Sequence, residues 1–451
     1  MDLREILNYA WIHNLKLSEH YEGALIFTKA KGNRLWTIEG KEYLDGTSAV
    51  FNVNIGYGDN RVIEAIKKQL ERLSFCSPYM ICDSTLELIK ELIKLVPNFK
   101  RIFLTSSGSD ATETAIKMAR QYHQMNGKGG KFRVVARWIS YHGDTLGALS
   151  ASGTPNWRKS FEPLLLNFPH IAPAYCYRCW FNKAPDECIK ECALDLERCL
   201  RVEGKESISA FIAEPIVAGA GGAITPQKEY FKIIKEICEK YDILLIFDEI
   251  VTGFGRTGRL FAYEHFNVEP DLLVFGKGVT SGYAPLGGVL ISKKVSEIFE
   301  KTESDNFINA FTYGHSPVSS SAGLEVLKIL REDKLIERVN ILSEYMFKRL
   351  QELEKYRIVG DIRGKGLLAG IELVKDKDSK KMFSDDEKVG HFIERYALDK
   401  GVLIFGRKGA NAGMISDFLV LGPVFISTKE DIDKIINVIE EGIKLAERNF
   451  L

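Results

Sequence analysis

The chain has 451 residues, of which 45% are hydrophobic and 27% charged, as in ordinary globular proteins. Lysine and arginine together number 61, as do aspartate and glutamate, so no net field attracts nucleic acid or an anionic membrane. We therefore expect a small-molecule substrate, with neither nucleic acid nor membrane as a partner, in a chain long enough for two or three lobes.

The apolar segments predict a protein without a membrane anchor. The first thirty residues contain no uninterrupted apolar segment and no small-residue cleavage site of the secretory kind. Nowhere do eighteen apolar residues follow one another, as a membrane-spanning helix requires. We expect a cytoplasmic location.

Short apolar segments alternate with amphipathic ones from about residue 60 to 300. The periodicity predicts helices over 61–73, with Asp59 and Asn60 as caps, and over 84–96, 109–125 and 229–241. Buried strands are predicted at RIFLT, FRVVAR, ISAFIAE, DILLIFDE, DLLVFGK and GGVLIS. Because these strands are apolar throughout and mixed with helices, they indicate an α/β fold with a mostly parallel sheet covered on both faces.

The pattern changes after residue 316. Long helices are predicted over 319–332 and 335–356, then strands at LLAGIELV, VLIFG and FLVLG, then a helix from about Glu430 to Arg448. We expect a large domain over residues 60–320. A smaller α+β domain would combine the N-terminal segment 1–59 with residues 321–451.

Two of the predicted strands end in functional groups, Asp248 in FDE and Lys277 in FGK. Ligands of open α/β sheets bind beyond the carboxyl ends of the strands, so both side chains are expected in one crevice. Pyridoxal 5'-phosphate (PLP) needs such a pair: the lysine forms a Schiff base with the cofactor aldehyde, and the acid keeps the pyridine nitrogen protonated. The alternative is a buried ion pair, which is rare because desolvation costs several kcal/mol per ion.

The segment GFGRTG, residues 253–258, matches the glycine fingerprint of dinucleotide-binding proteins. That fingerprint requires a strand directly before it and a helix that opens on its third glycine. DEIVT intervenes on one side, and RLFAYEHFNVEPD on the other side has no capped helical pattern. An NAD-dependent oxidoreductase is therefore only a remote alternative.

The segments FDEIVTGFGRTGRLFAYEHF and PDLLVFGKGVTSGYAPLGG resemble the signature of the class III (ω-) aminotransferases, which have the PLP fold type I. Other segments resemble the family in the same order: LWTIEGKEYLDGTSAVFNVNIGYG, TSSGSDATETAIKMAR, SYHGDTLGALSASG, FIAEPIVAGAGG and FTYGHSPVSSSAGL. The resemblance covers nearly the whole chain and favours the ω-amino acid:pyruvate and 4-aminobutyrate types. It implies a mostly parallel seven-stranded sheet covered by helices, with a smaller α+β domain.

The resemblance also implies contacts to PLP. Gly108 and Ser109, where a strand passes into a helix, would hold the phosphate. Tyr141, beside His142 in YHG, would stack on one face of the ring, and Val251 would lie on the other. The alternatives are an ordinary helix cap for the first pair and core positions for Tyr141 and Val251.

Three further residues have roles implied by the family. Glu214 resembles the acid near the cofactor and the substrate carboxylate, and Phe51 resembles the aromatic residue of the substrate pocket. Thr312 resembles the threonine that reaches the phosphate of the neighbouring subunit's cofactor. A homodimer, or a dimer of dimers, with shared active sites is therefore expected.

Substrate recognition is predicted to depart from part of the family. Relatives that bind α-carboxylates have an arginine just before the C-terminal proline motif, where this chain has Val420. Arg407, in the predicted loop FGRKGANAGM, can supply a mobile guanidinium for a carboxylate. A solvated loop arginine is the alternative.

Four cysteines crowd into the predicted insertion 176–199: Cys176, Cys179, Cys188 and Cys192. Reduced thiols, disulfides and a tetrahedral metal site are all compatible with this spacing. Some class III relatives resemble the chain here, which implies a surface segment remote from the chemistry.

The resulting hypothesis is a PLP-dependent aminotransferase. It would move an amino group from a β- or ω-amino acid, or an amine, to pyruvate or 2-oxoglutarate by a ping-pong mechanism. An aminomutase or a racemase on the same scaffold would share every cofactor residue. A zinc-binding interaction module would leave the other motifs without a role.

Overall fold

A computed structural model describes residues 3–13, 24–184, 186–301, 306–407 and 415–451. Numbered along the chain, the strands of these residues are β1 Phe27–Lys31, β2 Arg34–Thr37, β3 Glu42–Asp45, β4 Phe99–Thr105, β5 Arg133–Arg137, β6 His170–Ile171, β7 Ile208–Ala213, β8 Leu244–Asp248, β9 Leu272–Phe275, β10 Gly287–Ser292, β11 Val359–Gly364, β12 Ala369–Leu373, β13 Val402–Leu403, β14 Phe405–Arg407 and β15 Phe418–Leu421.

The α-helices lie between these strands and at both ends of the chain. They are Leu3–Ile6, Asn60–Arg72, Asp83–Leu95, Gly108–Met125, Leu146–Ala151, Pro155–Arg158, Glu191–Glu203, Tyr230–Lys240, Lys293–Lys301, Pro317–Glu332, Leu335–Gln351, Val389–Asp399 and Lys429–Phe450. Short 3-10 turns cover Leu7–Tyr9, Glu162–Leu164, Lys205–Ser207, Ala262–His265, Lys277–Val279 and Glu352–Lys355. The side chain of Asp59 accepts from the Arg61 amide at 2.9 Å, so the predicted cap of the helix Asn60–Arg72 is confirmed.

The largest sheet has seven strands in the order β4-β10-β9-β8-β7-β5-β6. Strands β9, β8, β7, β5 and β6 pair in parallel, and only β10 runs antiparallel to both of its neighbours. The predicted mostly parallel sheet is therefore confirmed, and all six of the predicted strand segments lie in it.

Both faces of this sheet are buried, which explains the continuous apolar strands. In β8, Leu244 and Ile246 join the apolar cluster beneath the helix Gly108–Met125, whereas Leu245 and Phe247 join the larger cluster on the opposite face. Successive side chains of a strand point to opposite faces, so a strand covered on both sides must be apolar at every position.

Two smaller sheets are built from the ends of the chain. Strands β1, β2 and β3 form an antiparallel ribbon, and β13 adds to it in parallel beside β3. The other sheet is antiparallel in the order β11-β12-β15-β14. The predicted single strand VLIFG is thus divided between two sheets, because β13 pairs with the N-terminal ribbon and β14 pairs with β15.

The domain limits remain a prediction. The helix Pro317–Glu332 runs through the predicted boundary near residue 320. The pairing of β13 with β3 shows that the N-terminal and C-terminal segments lie together. Within the described part of the chain, no helix is long and apolar enough to cross a membrane.

Candidate active site

The carboxyl ends of β8 and β9 bring Asp248 and Lys277 to the same edge of the large sheet. The two strands are parallel, and Asp248 is in register with Val274, three residues before Lys277. Lys277 opens a short 3-10 turn with a positive φ of 40°, a conformation that is strained for a residue with a side chain. Both side chains line one cavity of about 730 Å³ at this edge. Ligands of parallel α/β sheets bind at such an edge.

The imidazole of His142 contacts the carboxylate of Asp248 within the cavity lining. Its Nδ1 lies 2.8 Å from Oδ2 of Asp248, and both side chains are buried. The other carboxylate oxygen accepts from the Ile250 amide at 3.1 Å. The His142 amide in turn donates to Ser152 Oγ at 2.8 Å. The Asp248 carboxylate is therefore oriented by the His142 ring and the Ile250 amide. The position of His142 is in turn fixed by the hydrogen bond from its backbone amide.

Glu214 follows β7 and supplies a second buried acid. Its Oε1 accepts from the Tyr141 amide at 2.9 Å and its Oε2 from the Ala218 amide at 3.2 Å. Burial raises the pKa of Glu214. Burial likewise lowers the pKa of Lys277, against the opposing effect of the Asp248 and Glu214 carboxylates. The cavity thus favours a neutral amine on Lys277.

The N-terminus of the helix Gly108–Met125 forms the third wall. Ser107 caps this helix by accepting from the Asp110 amide at 3.2 Å, and Gly108 and Ser109 line the cavity. Gly143 allows a close approach here, because an added Cβ would lie 2.5 Å from Ser109 Oγ. The first amides of a helix have no intrahelical acceptor and attract anions.

These groups fit PLP. The cavity combines a buried lysine of lowered pKa, a carboxylate at a neighbouring strand end, and a glycine-serine helix start for a phosphate. His142 Nε2 is buried without a hydrogen-bond partner in the described structure, so the cavity wall keeps an unsatisfied polar atom. Together these features match a cofactor with an aldehyde, a basic ring nitrogen and a phosphate.

The structure places nearly all the predicted site residues in this one cavity. The lining includes Phe51, Gly108, Ser109, Tyr141, His142, Glu214, Asp248, Val251, Lys277 and Arg407. Thr312 is exposed and is not part of the lining. Glu249 turns away, and its carboxylate accepts from the Ala262 and Tyr263 amides, because neighbouring residues at a strand end point in opposite directions.

A left-handed turn over Ser48–Phe51 brings Phe51 into the cavity. The sequence did not predict the left-handed conformation of this turn. The φ angles of these four residues are 51°, 46°, 61° and 64°. Each left-handed residue costs roughly 1–2 kcal/mol when it is not glycine. Gly422 is needed opposite the ring, because a Cβ there would lie 2.4 Å from Phe51 Cδ1.

The buried carboxylate of Asp45 stabilises this turn. It accepts from the amides of Thr47 and Ala49, both at 2.9 Å, and from the Tyr57 hydroxyl at 2.7 Å. Arg256, in the segment GFGRTG, donates to Ser48 Oγ at 3.0 Å. The glycine-rich segment therefore supports the turn that carries Phe51, and turns and bends rather than an α-helix follow its third glycine.

Arg407 lies in a place that differs from the predicted one. It is the last residue of β14 rather than part of a loop, and its guanidinium lies 3.8 Å from the centre of the Phe405 ring. Its Nε is buried without a hydrogen-bond partner in the described structure, and burial lowers its pKa. Residues 408–414 of the predicted loop lie outside the described residues.

Val420 is fully buried beneath the cavity, in an apolar cluster that includes Phe51 and Phe418. A cation at this position would be an unpaired charge buried in that apolar cluster, which is costly. Other lining residues were missed by sequence reasoning: Val50, Asp144, Trp157, Phe161 and Phe405. For two of them, Trp157 and Phe161, the sequence offered a signal, since they are the aromatic residues of SGTPNWRKSF, shortly after the YHG motif.

The mostly parallel seven-stranded sheet and the lysine-acid cavity at its edge define a PLP-dependent enzyme of fold type I. The family model "Aminotransferase class-III" matches residues 17–443. The chain belongs to this family, and it is a PLP-dependent aminotransferase.

Individual relatives are similar in sequence to this chain over nearly their whole length. The taurine–pyruvate aminotransferase of Bilophila wadsworthia is 36% identical over 447 residues, which cover 98% of this chain and 96% of that protein. The putrescine–pyruvate aminotransferase of Pseudomonas aeruginosa is 35% identical over 421 residues, or 92% of this chain and 90% of that protein. Among solved structures, an (S)-enantioselective omega-transaminase from Thermomicrobium roseum superimposes with a TM-score of 0.91 at 33% identity, covering 99% of both chains.

Proposed function

We propose that this aminotransferase takes its amino group from a β- or ω-amino acid, or from an amine without an α-carboxylate. The acceptor is a keto acid such as pyruvate or 2-oxoglutarate, and the two half-reactions follow a ping-pong order. The observation that carries the donor class is the substrate side of the cavity. Arg407 is the sole arginine among the described residues that line it, and Val420 is buried where the resemblance expects a second arginine.

The chemistry of the named relatives supports this donor class. Taurine carries a sulfonate two carbons from its amine, and putrescine carries no acid group at all. Neither donor has a carboxylate on the carbon that bears the reacting amine, so no arginine is needed beside that carbon. Phe51, Trp157 and Phe405 provide aromatic surface in that part of the cavity.

Lys277 is proposed as the proton carrier. When bound, PLP draws electron density from the carbon that carries the amino group, so that a proton on this carbon becomes acidic. The Nζ of Lys277, in its neutral form, is the base proposed to accept that proton, and burial lowers its pKa and so favours this form. The same nitrogen can return the proton to a neighbouring carbon, since its pKa is held below that of a solvated lysine.

The other polar side chains are proposed to hold the cofactor. Asp248, oriented by His142, would pair with the ring nitrogen, and Gly108 and Ser109 would bind the phosphate. Tyr141 and Val251 would contact the two faces of the ring. Glu214, with its raised pKa, would donate or accept a hydrogen bond close to the substrate.

A pair of isomeric donors tests the donor class. We expect kcat/KM for 4-aminobutyrate to exceed that for L-2-aminobutyrate by roughly tenfold or more with 2-oxoglutarate, about 1.4 kcal/mol of transition-state binding. The two compounds differ only in the position of the amine. A preference for the α-isomer would contradict the proposal, and turnover without consumption of the keto acid would indicate an aminomutase or a racemase.

A homodimer with shared sites is proposed from the position of Thr312. This residue is exposed and lies outside the cavity of its own chain, as expected if it serves the cavity of a partner. Thr312→Ala should weaken PLP binding by roughly 0.5–1.5 kcal/mol, the value of one hydrogen bond. Sedimentation should give a dimer or a larger even oligomer, and a monomer with full activity would contradict this part of the proposal.

A further inference from the structure

The four cysteines of the segment 176–199 converge on a cavity of their own. Cys176, Cys179, Cys188 and Cys192 all line a small cavity of about 20 Å³, together with Pro173, Tyr175, Phe181, Lys183 and Gln227. This cavity shares no lining residue with the active site. All four thiols are free, and Cys199 in the same helix as Cys192 lies outside the lining.

The four cysteines form two pairs, each closely spaced along the chain. The first pair, Cys176 and Cys179, lies in a turn with two intervening residues. The second pair places Cys188 in a loop and Cys192 in the first turn of the helix Glu191–Glu203. Between them Lys190 adopts a left-handed φ of 66°, which turns the chain into the helix. Ligand pairs separated by two to four residues are typical of structural zinc sites.

Hydrogen-bond donors and lysine side chains lie around the sulfurs. The Lys190 amide donates to Cys188 Sγ at 3.2 Å, and the Gln227 side chain donates to Cys176 Sγ at 3.6 Å. Lys183 lines the cavity, and the ammonium of Lys190 lies close enough to donate to the Cys188 carbonyl at 3.0 Å. One contact is of the opposite kind, since the Cys188 thiol donates to Glu191 at 3.2 Å.

The sulfurs also interact with one another. Burial, and after it the neighbouring thiols Cys188, Cys176 and Cys179, raise the pKa of Cys192. A divalent cation that binds between the four sulfurs would displace their protons, because coordination deprotonates a thiol outright.

We propose that Cys176, Cys179, Cys188 and Cys192 form a structural site for one thiophilic divalent cation, with zinc as the expected occupant. Four thiolates around one Zn²⁺ complete a tetrahedral shell and leave no position for substrate. Among the described residues, no group of three or more His, Cys, Asp or Glu side chains already has metal-ligand geometry. Binding therefore requires rotation of cysteine side chains about χ1, which moves each sulfur between staggered positions.

The site would brace the contact between this segment and the C-terminal sheet. Arg178, between the first two cysteines, donates to the buried Glu372 of β12 at 2.5 Å and to the Lys380 carbonyl at 2.8 Å. Lys380 donates back to the Tyr177 carbonyl at 2.9 Å. A cation that fixes the turn would hold both intervening residues against the C-terminal sheet.

The test measures metal and thiols in the intact holoenzyme. Enzyme purified without chelators should contain one zinc per chain, and Cys176→Ser and Cys192→Ser should lower this content at least tenfold. The matched control Cys199→Ser, in the same helix, should keep its zinc. Equal zinc in all variants would overturn the proposal, since the metal would then be bound elsewhere.

Wild-type enzyme provides a second readout that does not depend on the folding of variants. Thiol labelling followed by mass spectrometry should modify Cys176, which is exposed, only after the metal is removed by a chelator. Cobalt added to the metal-free enzyme should give the thiolate charge-transfer absorption of a tetrahedral site. Absence of zinc together with no uptake of added zinc or cobalt would overturn the site, as would a native mass reduced by disulfide formation between these cysteines.

Discussion

The two sides of the active-site cavity are built from different kinds of backbone. On the cofactor side, Asp248 and Lys277 follow buried parallel strands, and His142 fixes the carboxylate at 2.8 Å. On the substrate side, Phe51 projects from a left-handed turn, and Arg407 ends a short edge strand, where its Nε has no hydrogen-bond partner among the described residues. Hydrogen bonds orient the two acids of the cofactor side, Asp248 and Glu214, whereas Phe51 and Arg407 on the substrate side lie in largely aromatic surroundings.

This difference separates the chemistry from its specificity. Groups that must act on every substrate are held by strands whose register the core determines. The residues proposed to select the substrate lie on elements that meet only when the two ends of the chain fold together, as β13 does with β3. We therefore expect substitutions on the cofactor side to abolish turnover and those on the substrate side to change preference.

Replacement of Lys277 should have the largest effect. Lys277→Ala should abolish amino transfer with every donor, because both the covalent attachment of PLP and the proton carrier are lost. Lys293→Ala, in an exposed helix position, is the matched control and should keep wild-type rates. Borohydride reduction of the wild type should attach PLP to Lys277, and attachment to another lysine would disprove this assignment.

Asp248→Asn should come next in size. The amide keeps the shape of the side chain and still accepts a hydrogen bond, so PLP should remain bound. The activation free energy should rise by about 3 kcal/mol or more, because a charged partner of the ring nitrogen is lost in a buried site. The turnover rate should therefore fall roughly a hundredfold or more. The rate of each half-reaction should be measured by stopped-flow absorbance, and near-normal rates would assign this role to another acid.

Arg407→Ala tests the substrate side. Loss of one bidentate contact to a carboxylate should cost about 1.5–3 kcal/mol, roughly ten- to a hundredfold in kcat/KM for the keto acid. The half-reaction of a donor without a carboxylate should change little. Arg395→Ala, an exposed arginine of the neighbouring helix, serves as the control. Unchanged kinetics in both half-reactions would show that the guanidinium over Phe405 binds no substrate.

The smallest expected effect concerns the support of the left-handed turn. Asp45→Asn replaces a carboxylate that accepts two amides and a tyrosine hydroxyl, so the free energy of unfolding should fall by about 1–3 kcal/mol. The KM of bulky donors should also rise, while that of small donors stays close to the wild type. Glu42→Gln, an exposed neighbour in β3, is the control in chemical denaturation. An equal rise in KM for small and bulky donors would contradict the role of the turn in shaping the pocket.

The amino-acid sequence by itself determined the large sheet and the cofactor side. Continuous apolar segments predicted its strands because a strand buried on both faces has no polar position. Asp248 and Lys277 could be paired because parallel strands present their carboxyl ends at one edge. The PLP chemistry and the family followed from these segments, and the comparisons confirmed both.

Only the tertiary structure decided the substrate side. The four left-handed residues of Ser48–Phe51 carry no glycine, so no local signal predicted them; Asp45 and Arg256 stabilise them across the chain. VLIFG is divided between two sheets, and Arg407 lies in a strand rather than in the predicted loop. This division depends on partners more than 350 residues away, since β13 pairs with Leu44 and Asp45. Likewise the spacing of the cysteines left their arrangement open, and the structure shows that all four line one cavity. Local sequence sets periodicity and strand ends, whereas long-range contacts decide where strained turns and short edge strands are stable.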